Sequence, residues 1–239
     1  MRPKSMMPLL FAGSFGVGLM AAPAAAQDKP PAPTVQIPKP GVPQIMTMEG
    51  RFVRAAYNNE GYVILGYQLA NRSIGEKWML LEVGMTVLDD TPDYKLLRSH
   101  LSLETPDGKT IPLPSQSEYQ KADLRSLEMR EKVQRDSINY FPNSAHQACR
   151  IGFFAPLDKR AMAWDEVELS DTRACLGRLY FPIPDGIKHG QHWLNVQFAK
   201  SLIRVPFRIL TEDEEKMLKD NYKAIDKQIE EAFKPKKKS

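Results

Sequence analysis

Cys149 and Cys175 are the two cysteines of the chain, and His100, His146, His189 and His192 are its four histidines. Thiol, imidazole or metal chemistry would have to be assembled from these six residues and whatever carboxylates and hydroxyls lie near them. In an exported chain, an even cysteine count without a CxxC spacing predicts one disulfide, Cys149–Cys175. Closing a loop of roughly 27 residues would stabilise the fold by about 3.5 kcal/mol in the chain-entropy picture. Pairing Cys149 in this way removes the thiolate that a Cys149–His146 dyad would need. Two sulfurs without nearby histidines also make a poor zinc set.

The remaining candidates have structural readings that compete well. His189-Gly190-Gln191-His192 has a metal-like spacing but no adjacent cysteine or carboxylate, so distant ligands would be needed. Met46 and Met48 are a soft pair, yet methionine in irregular segments more often fills a core. Asp89, Asp90 and Asp93 lack the glycine of a calcium loop and read as a solvated turn. Glu166 and Glu168 share one face of a strand, a disposition compatible with paired acid–base work but also with any half-buried strand. Trp78, Trp164 and Trp193 would form a sugar-stacking platform only if several were coplanar and exposed. Asn71-Arg72-Ser73 fits the glycosylation acceptor pattern. The motifs HExxH, SxxK, GxGxxG and the phosphate-binding loop do not occur, and the one approximate nucleophile elbow, Ala12 to Gly16, lies in the leader. No catalytic, metal-binding or cofactor-binding residue is therefore assigned, and the disulfide is the single committed site.

The leader sets the compartment. Arg2 and Lys4 precede an apolar run over 9–22 and then Ala24-Ala25-Ala26, the three parts of a cleaved secretory signal. Glycines and Pro23 break the run before it reaches bilayer length. Cleavage after Ala26 would leave 213 residues starting at Gln27, in the periplasm or outside the cell. The formal charge of +4 is carried by the ends. Removing the signal and the four lysines of 234–239 leaves the body near −2, which argues against a nucleic-acid-binding face. The basic tail itself is suited only to weak, salt-sensitive contact with anionic surfaces.

Between signal and body, residues 27–48 read as a tether, with six prolines between positions 30 and 43 favouring polyproline II. The body, 49–210, alternates with period two. Met79, Leu81, Val83, Met85 and Val87 line one face of a strand over 77–88. Ile203, Val205, Phe207 and Ile209 do the same over 202–210, where Pro206 predicts an edge strand or a bulge. Further strands are expected over 51–57, 61–70, 100–104, 109–113, 137–141, 149–154, 166–169, 177–181 and 192–199. Turn chemistry at Asn58-Asn59-Glu60-Gly61, Thr105-Pro106-Asp107-Gly108 and Pro184-Asp185-Gly186 separates them. Without strand–helix alternation this predicts an antiparallel sandwich or barrel.

Two helices are expected. One spans 118–133, inserted among the strands. The other covers 211–233, started by the Thr211/Glu214 capping box and carrying an apolar seam of Leu218, Tyr222, Ile225, Ile229 and Ala232, which should press on the protein's own β domain.

Residues 61–113, with their strand, Asn71 turn, long alternating strand and Thr105–Lys109 hairpin, are similar in outline to extracytoplasmic immunoglobulin-like domains of bacteria. The likeness covers 53 of 239 residues and carries no residue role. The resulting expectation is an all-β protein, an immunoglobulin-like or related β-sandwich with one inserted helix and a C-terminal amphipathic helix. Its expected function is non-enzymatic, an envelope or secreted module binding a protein or surface polymer. An exported hydrolase with a non-standard site and a carbohydrate-binding module are the alternatives.

Overall fold

In a computed structural model of the chain, the described residues are 44–155 and 162–233. The export signal, the tether up to residue 43 and the basic tail 234–239 lie outside them. The protein is mostly β, with three open sheets and a C-terminal helix.

The largest sheet has the order β1 (Ile45–Gly50), β2 (Val53–Tyr57), β3 (Gly61–Gly66), β4 (Trp78–Val87), β10 (Arg173–Pro182) and β8 (Gln147–Ile151). A four-stranded sheet runs β12 (Leu202–Ile209), β11 (Gly190–Gln197), β6 (Leu101–Glu104), β7 (Thr110–Pro112). The third sheet pairs β5 (Tyr94–Leu97) with β9 (Glu166–Leu169). Buried side chains of the two larger sheets form one cluster, with Val63, Leu81 and Met85 from one and Leu103, Leu194, Val205 and Phe207 from the other.

The two alternating patterns became strands β4 and β12. On β4 the set Met79, Leu81, Val83, Met85 and Val87 is buried, and Leu81 stands opposite Leu179 and Met85 opposite Cys175 in the antiparallel ladder with β10. On β12 the buried residues are Ile203, Val205, Phe207 and Ile209, and the strand is an edge, as Pro206 requires. That edge is partly capped: the Gln44 amide donates to the Arg204 carbonyl at 2.8 Å and accepts from the Arg204 N–H at 3.0 Å. Asn58 shapes the first turn, its side-chain oxygen accepting from the N–H groups of Glu60 and Gly61. Gly108, at φ 78°, closes the hairpin between β6 and β7.

Several expectations need correction. The strand expected over 61–70 ends at Gly66 and passes into one helical turn, α1 (Gln68–Asn71), closed by Asn71 N–H to the Tyr67 carbonyl. Residues 137–141 pair with no strand. The helix expected over 118–133 is two, α2 (Gln116–Lys121) and α3 (Arg125–Val133), broken where Ala122 turns extended. Ser115 and Glu118 form a capping box that starts α2 two residues before the expected boundary. β1 begins inside the segment read as tether, and β5 was not expected. One ladder is not antiparallel: β8 runs parallel to β10.

The cysteine expectation is met, and the parallel ladder shows how. Cys149 is the partner of Cys175 in the β8–β10 register, and the two are joined with a Cα separation of 4.1 Å. The bridge therefore links neighbouring strands of one sheet, unlike the bridge between sheets found in immunoglobulin domains.

The C-terminal helix α4 (Glu212–Phe233) starts at its capping box, with Glu214 N–H to Thr211 Oγ1 at 3.3 Å and Thr211 N–H to Glu214 Oε2 at 3.0 Å. Arg208 and Arg51 hold its first turn through Glu214 and Glu215, at 2.7 and 2.8 Å. Of its apolar seam, Leu218 and Tyr222 are half-buried, and no described side chain of α4 is buried outright. Packing on its own domain is thus partial where it is described.

Replacing both cysteines with alanine should lower stability by about 3.5 kcal/mol through the freed unfolded chain. In a domain of this size that is a fall of about 10 °C in melting temperature, read by calorimetry. A melting point unchanged by the double substitution would count against the bridge as the staple of β8.

Candidate functional site: a charged cleft on the outer face of the large sheet

On β4 the residues between the core-facing positions are Leu80, Glu82, Gly84 and Thr86, and their partners on β10 include Tyr180, Arg178 and Leu176. These project to the opposite face of the sheet. In an open sheet that face would be solvated, yet Leu80, Gly84 and Thr86 are buried. The helical insertion and the irregular strap that follows it, residues 134–142, cover Leu80 and Gly84, while the Thr86 hydroxyl donates to the Ser170 carbonyl at 2.9 Å. The strap lies so close to the sheet that a Cβ on Gly84 would stand 2.7 Å from the Phe141 ring, and one on Gly66 would stand 2.6 Å from Asp136 Cβ. Glycine is required at both places by the space.

Where strap, insertion and sheet fail to close, a cleft of about 460 Å³ remains. Its walls include Glu82 and Arg178 from the sheet, Tyr119 from α2, Glu128 from α3, Arg135 and Asp136 from the strap, and Arg150 from β8. The strap has no ladder to satisfy its backbone, and side chains take over that task. Asp136 N–H donates to Glu82 Oε2 at 2.7 Å, while the Gln68 N–H donates to Asp136 Oδ2 at 2.8 Å. Beneath them the fully buried Glu131 receives Arg178 at 2.6 Å and Arg135 at 3.0 Å, both against Oε1. Its Oε2 has no hydrogen-bond partner among the described residues. Tyr119 donates its hydroxyl to Glu128. The rings of Tyr119, Phe154 and Tyr180 pack mutually with centroids 4.8 to 5.2 Å apart.

Burial raises the proton affinity of both free carboxyls. Glu82 is pushed up to about 7, chiefly by desolvation, with the Asp136 N–H acting the other way and the charges of Asp136 and Glu131 adding to the rise. Asp136 is pushed up to about 6 by desolvation against the opposing Gln68 N–H and Arg72 charge. The Tyr180 hydroxyl is raised to about 12, again mainly by burial. The cleft therefore holds two carboxyls that change charge near neutrality, side by side with guanidinium groups.

The residues singled out from sequence lie elsewhere. His192 is buried against Phe207, its Nδ1 3.1 Å from the Gly190 carbonyl, and burial lowers its pKa to about 4, so it is a neutral core histidine. His189 and His146 are exposed. His100 Nδ1 lies 2.7 Å from the Tyr94 hydroxyl. The four are not brought together. Glu166 and Glu168 pair with Lys95 and Arg173 on the surface. Asp90 and Asp93 border a loop groove of about 490 Å³ whose third acid, Glu60, is committed to the Lys200 N–H and the Ser201 hydroxyl. Among the described residues, no group of three or more His, Cys, Asp or Glu side chains is placed to hold a metal ion. Trp193 is buried under Arg204, Trp78 is half-buried and Trp164 is exposed, so they form no common stacking plane. Asn71 is buried, bracing α4 through its side-chain oxygen on the Leu210 N–H at 2.6 Å, a poor glycan acceptor. Met46 and Met48 are exposed on β1.

Sequence reasoning missed the cleft. One signal pointed to it: Glu82 is a lone charge in an otherwise apolar strand. Comparison with protein-family models, with curated proteins and with solved structures finds no match to this chain.

A carboxyl whose folded pKa is raised favours folding when protonated, and that advantage is lost as pH rises through its folded pKa. Glu82→Gln removes the ionisation and keeps an acceptor for the Asp136 N–H. The variant should melt close to the parent at pH 4.5 and about 6–12 °C above it at pH 8, a difference of about 3 kcal/mol. Taking the difference between the two proteins cancels the opposing contribution of His192, which weakens the fold as pH falls from 6.5 to about 4. A pH-independent difference would place Glu82 in water.

Proposed function

We propose that the protein is an exported, non-enzymatic binding module. In this reading its two larger sheets are the leaves of a β-sandwich related to immunoglobulin-like domains, and a segment of a protein or of a surface polymer enters the cleft over β4 and β10. The carrying observation is the cleft itself: about 460 Å³, walled by aromatic rings and by charged groups from the large sheet, α3 and the strap. Concave sites with an apolar wall and a few fixed polar groups are where ligands bind. The disulfide, buried at Cys175, suits an oxidising compartment. Export would leave a chain starting at Gln27, which N-terminal sequencing of the secreted product tests directly.

Binding is tested by a thermal-shift screen of the full processed chain against peptides, oligosaccharides and small charged molecules, run in parallel with Leu176→Trp. Leu176 lines the cleft and is 37 % exposed, so a larger side chain there obstructs the space without entering the core. The expected result is at least one ligand that raises the melting temperature of the parent and not of the variant. A screen in which every hit is indifferent to Leu176→Trp, or in which the chain turns over a substrate, would refute the assignment.

A further inference from the structure

The structure assigns a chemical class to the occupant of this cleft: we infer that it receives a primary alkylammonium group, seated between the uncommitted carboxyl oxygens of Glu82 and Asp136, with the attached methylenes against Tyr180 and Phe154. This deepens the binding reading above and rests on it.

Most of the charged groups around the cleft already have partners. Arg135 and Arg178 both lie against the buried Glu131 carboxylate. Arg130, on α3, is held by both oxygens of Glu76, at 2.7 and 2.6 Å. Glu128 accepts the Tyr119 hydroxyl. Glu82 and Asp136 differ, since each accepts one backbone N–H and neither has a cationic side chain within ion-pair distance among the described residues. Arg150 lines the cleft, is exposed and has no ion-pair partner among the described residues, leaving one uncommitted cation against two uncommitted acids. The deficit in the cleft is therefore one of positive charge. An anion would meet only the exposed Arg150, unless it drew Arg135 or Arg178 away from a fully buried carboxylate, and in either place would sit beside two acids. A cation meets two desolvated carboxyls and the rings of Tyr119, Phe154 and Tyr180, which attract cations and cover methylenes.

Proton release should accompany uptake. The groups facing Glu82 are Asp136 on the strap, Arg178 on β10 and Glu131 on α3, and Arg72 acts on Asp136. In their company Glu82 is raised to about 7 and Asp136 to about 6 by burial, so a bound ammonium favours the ionised forms and displaces protons.

The test is titration calorimetry of the full processed chain with N-acetyl-lysine N-methylamide, its norleucine counterpart and glutarate. The lysine compound should bind at pH 8, weaken by about tenfold at pH 6 as Glu82 takes up its proton, and release protons seen as a buffer-dependent heat. The Glu82→Gln/Asp136→Asn variant keeps acceptors for both backbone N–H groups. It should lose about tenfold in affinity, an ordinary loss for a buried charge-assisted contact, with a melting temperature no lower than the parent's. Three results overturn the inference: no binding of the lysine compound, equal binding of the norleucine compound or glutarate, or lysine binding indifferent to the double substitution. If glutarate or the norleucine compound binds and Leu176→Trp abolishes it, the charge assignment fails while the binding reading stands. If no ligand of any class responds to Leu176→Trp, the binding reading itself has failed.

Discussion

The antiparallel ladder between β4 and β10 places two incompatible sets of side chains on opposite faces of one pair of strands. Toward the shared core it sends Met79, Leu81, Val83 and Met85, with Leu179 and Phe181 opposite. Toward the other face it sends Glu82 beside Arg178 and Leu80 beside Tyr180. A slip of one residue would exchange the faces and drive Glu82 and Arg178 among apolar side chains, where an isolated charge is destabilising by several kcal/mol. The register of the central pair is therefore tightly specified, and its neighbours inherit it. β3 pairs along β4 from Gly61 to Gly66, and β8 is pinned beside β10 by a disulfide at the register partners Cys149 and Cys175.

What distinguishes this sheet is that its second face is also covered. The insertion supplies apolar cover through Tyr119, Leu124 and Leu127, all buried in the common cluster. The strap has no regular secondary structure and runs over a sheet face, where ladder hydrogen bonds cannot form. Its attachment must come from side chains, and Glu82 and Asp136 meet that need at one point through a backbone N–H each. The same closeness that seats the strap on Gly66 and Gly84 dries those carboxyls. Fastening the strap and perturbing the acids are one event.

The sequence was legible where periodicity or turn chemistry is local. The alternation of β4 and β12, the edge position implied by Pro206, the Thr211/Glu214 box and the cysteine pair can each be read within a few residues. Long-range packing decides the rest. Residues 62–65 are strand formers, but Gly66 ends the run and Gln68-Leu69-Ala70 favours helix, and the strand gives way to α1 once the Tyr67 N–H closes on the Phe52 carbonyl. Residues 137–141 have the composition of a strand, yet they pair with none, and Phe141 at their end sits over Gly84 on the face of the large sheet. The helix formers of 118–133 are continuous, and nothing in their order marks the break at Ala122. The parallel pairing of β8 with β10 is encoded by no local pattern. The cleft was illegible for the same reason: Glu82, Glu131, Asp136 and Arg178 are distant in sequence and meet through the register and the strap.

Stability alone is a weak account of this charge cluster. Replacing a buried ion pair with apolar residues of similar volume is often neutral or stabilising, so a fold needing only cohesion gains little from Glu131 with Arg178. The core face of β4 and β10 is already apolar from end to end. On the covered face, Leu80 and Tyr180 show that apolar side chains fit beneath the insertion. Glu82 stands two residues from Leu80 on that same face, on the same strand, and is held by one N–H in a setting that disfavours its charged form. A half-buried carboxyl that lines the cleft, while the guanidinium opposite it on β10 is turned to Glu131, is a costly choice for cohesion alone.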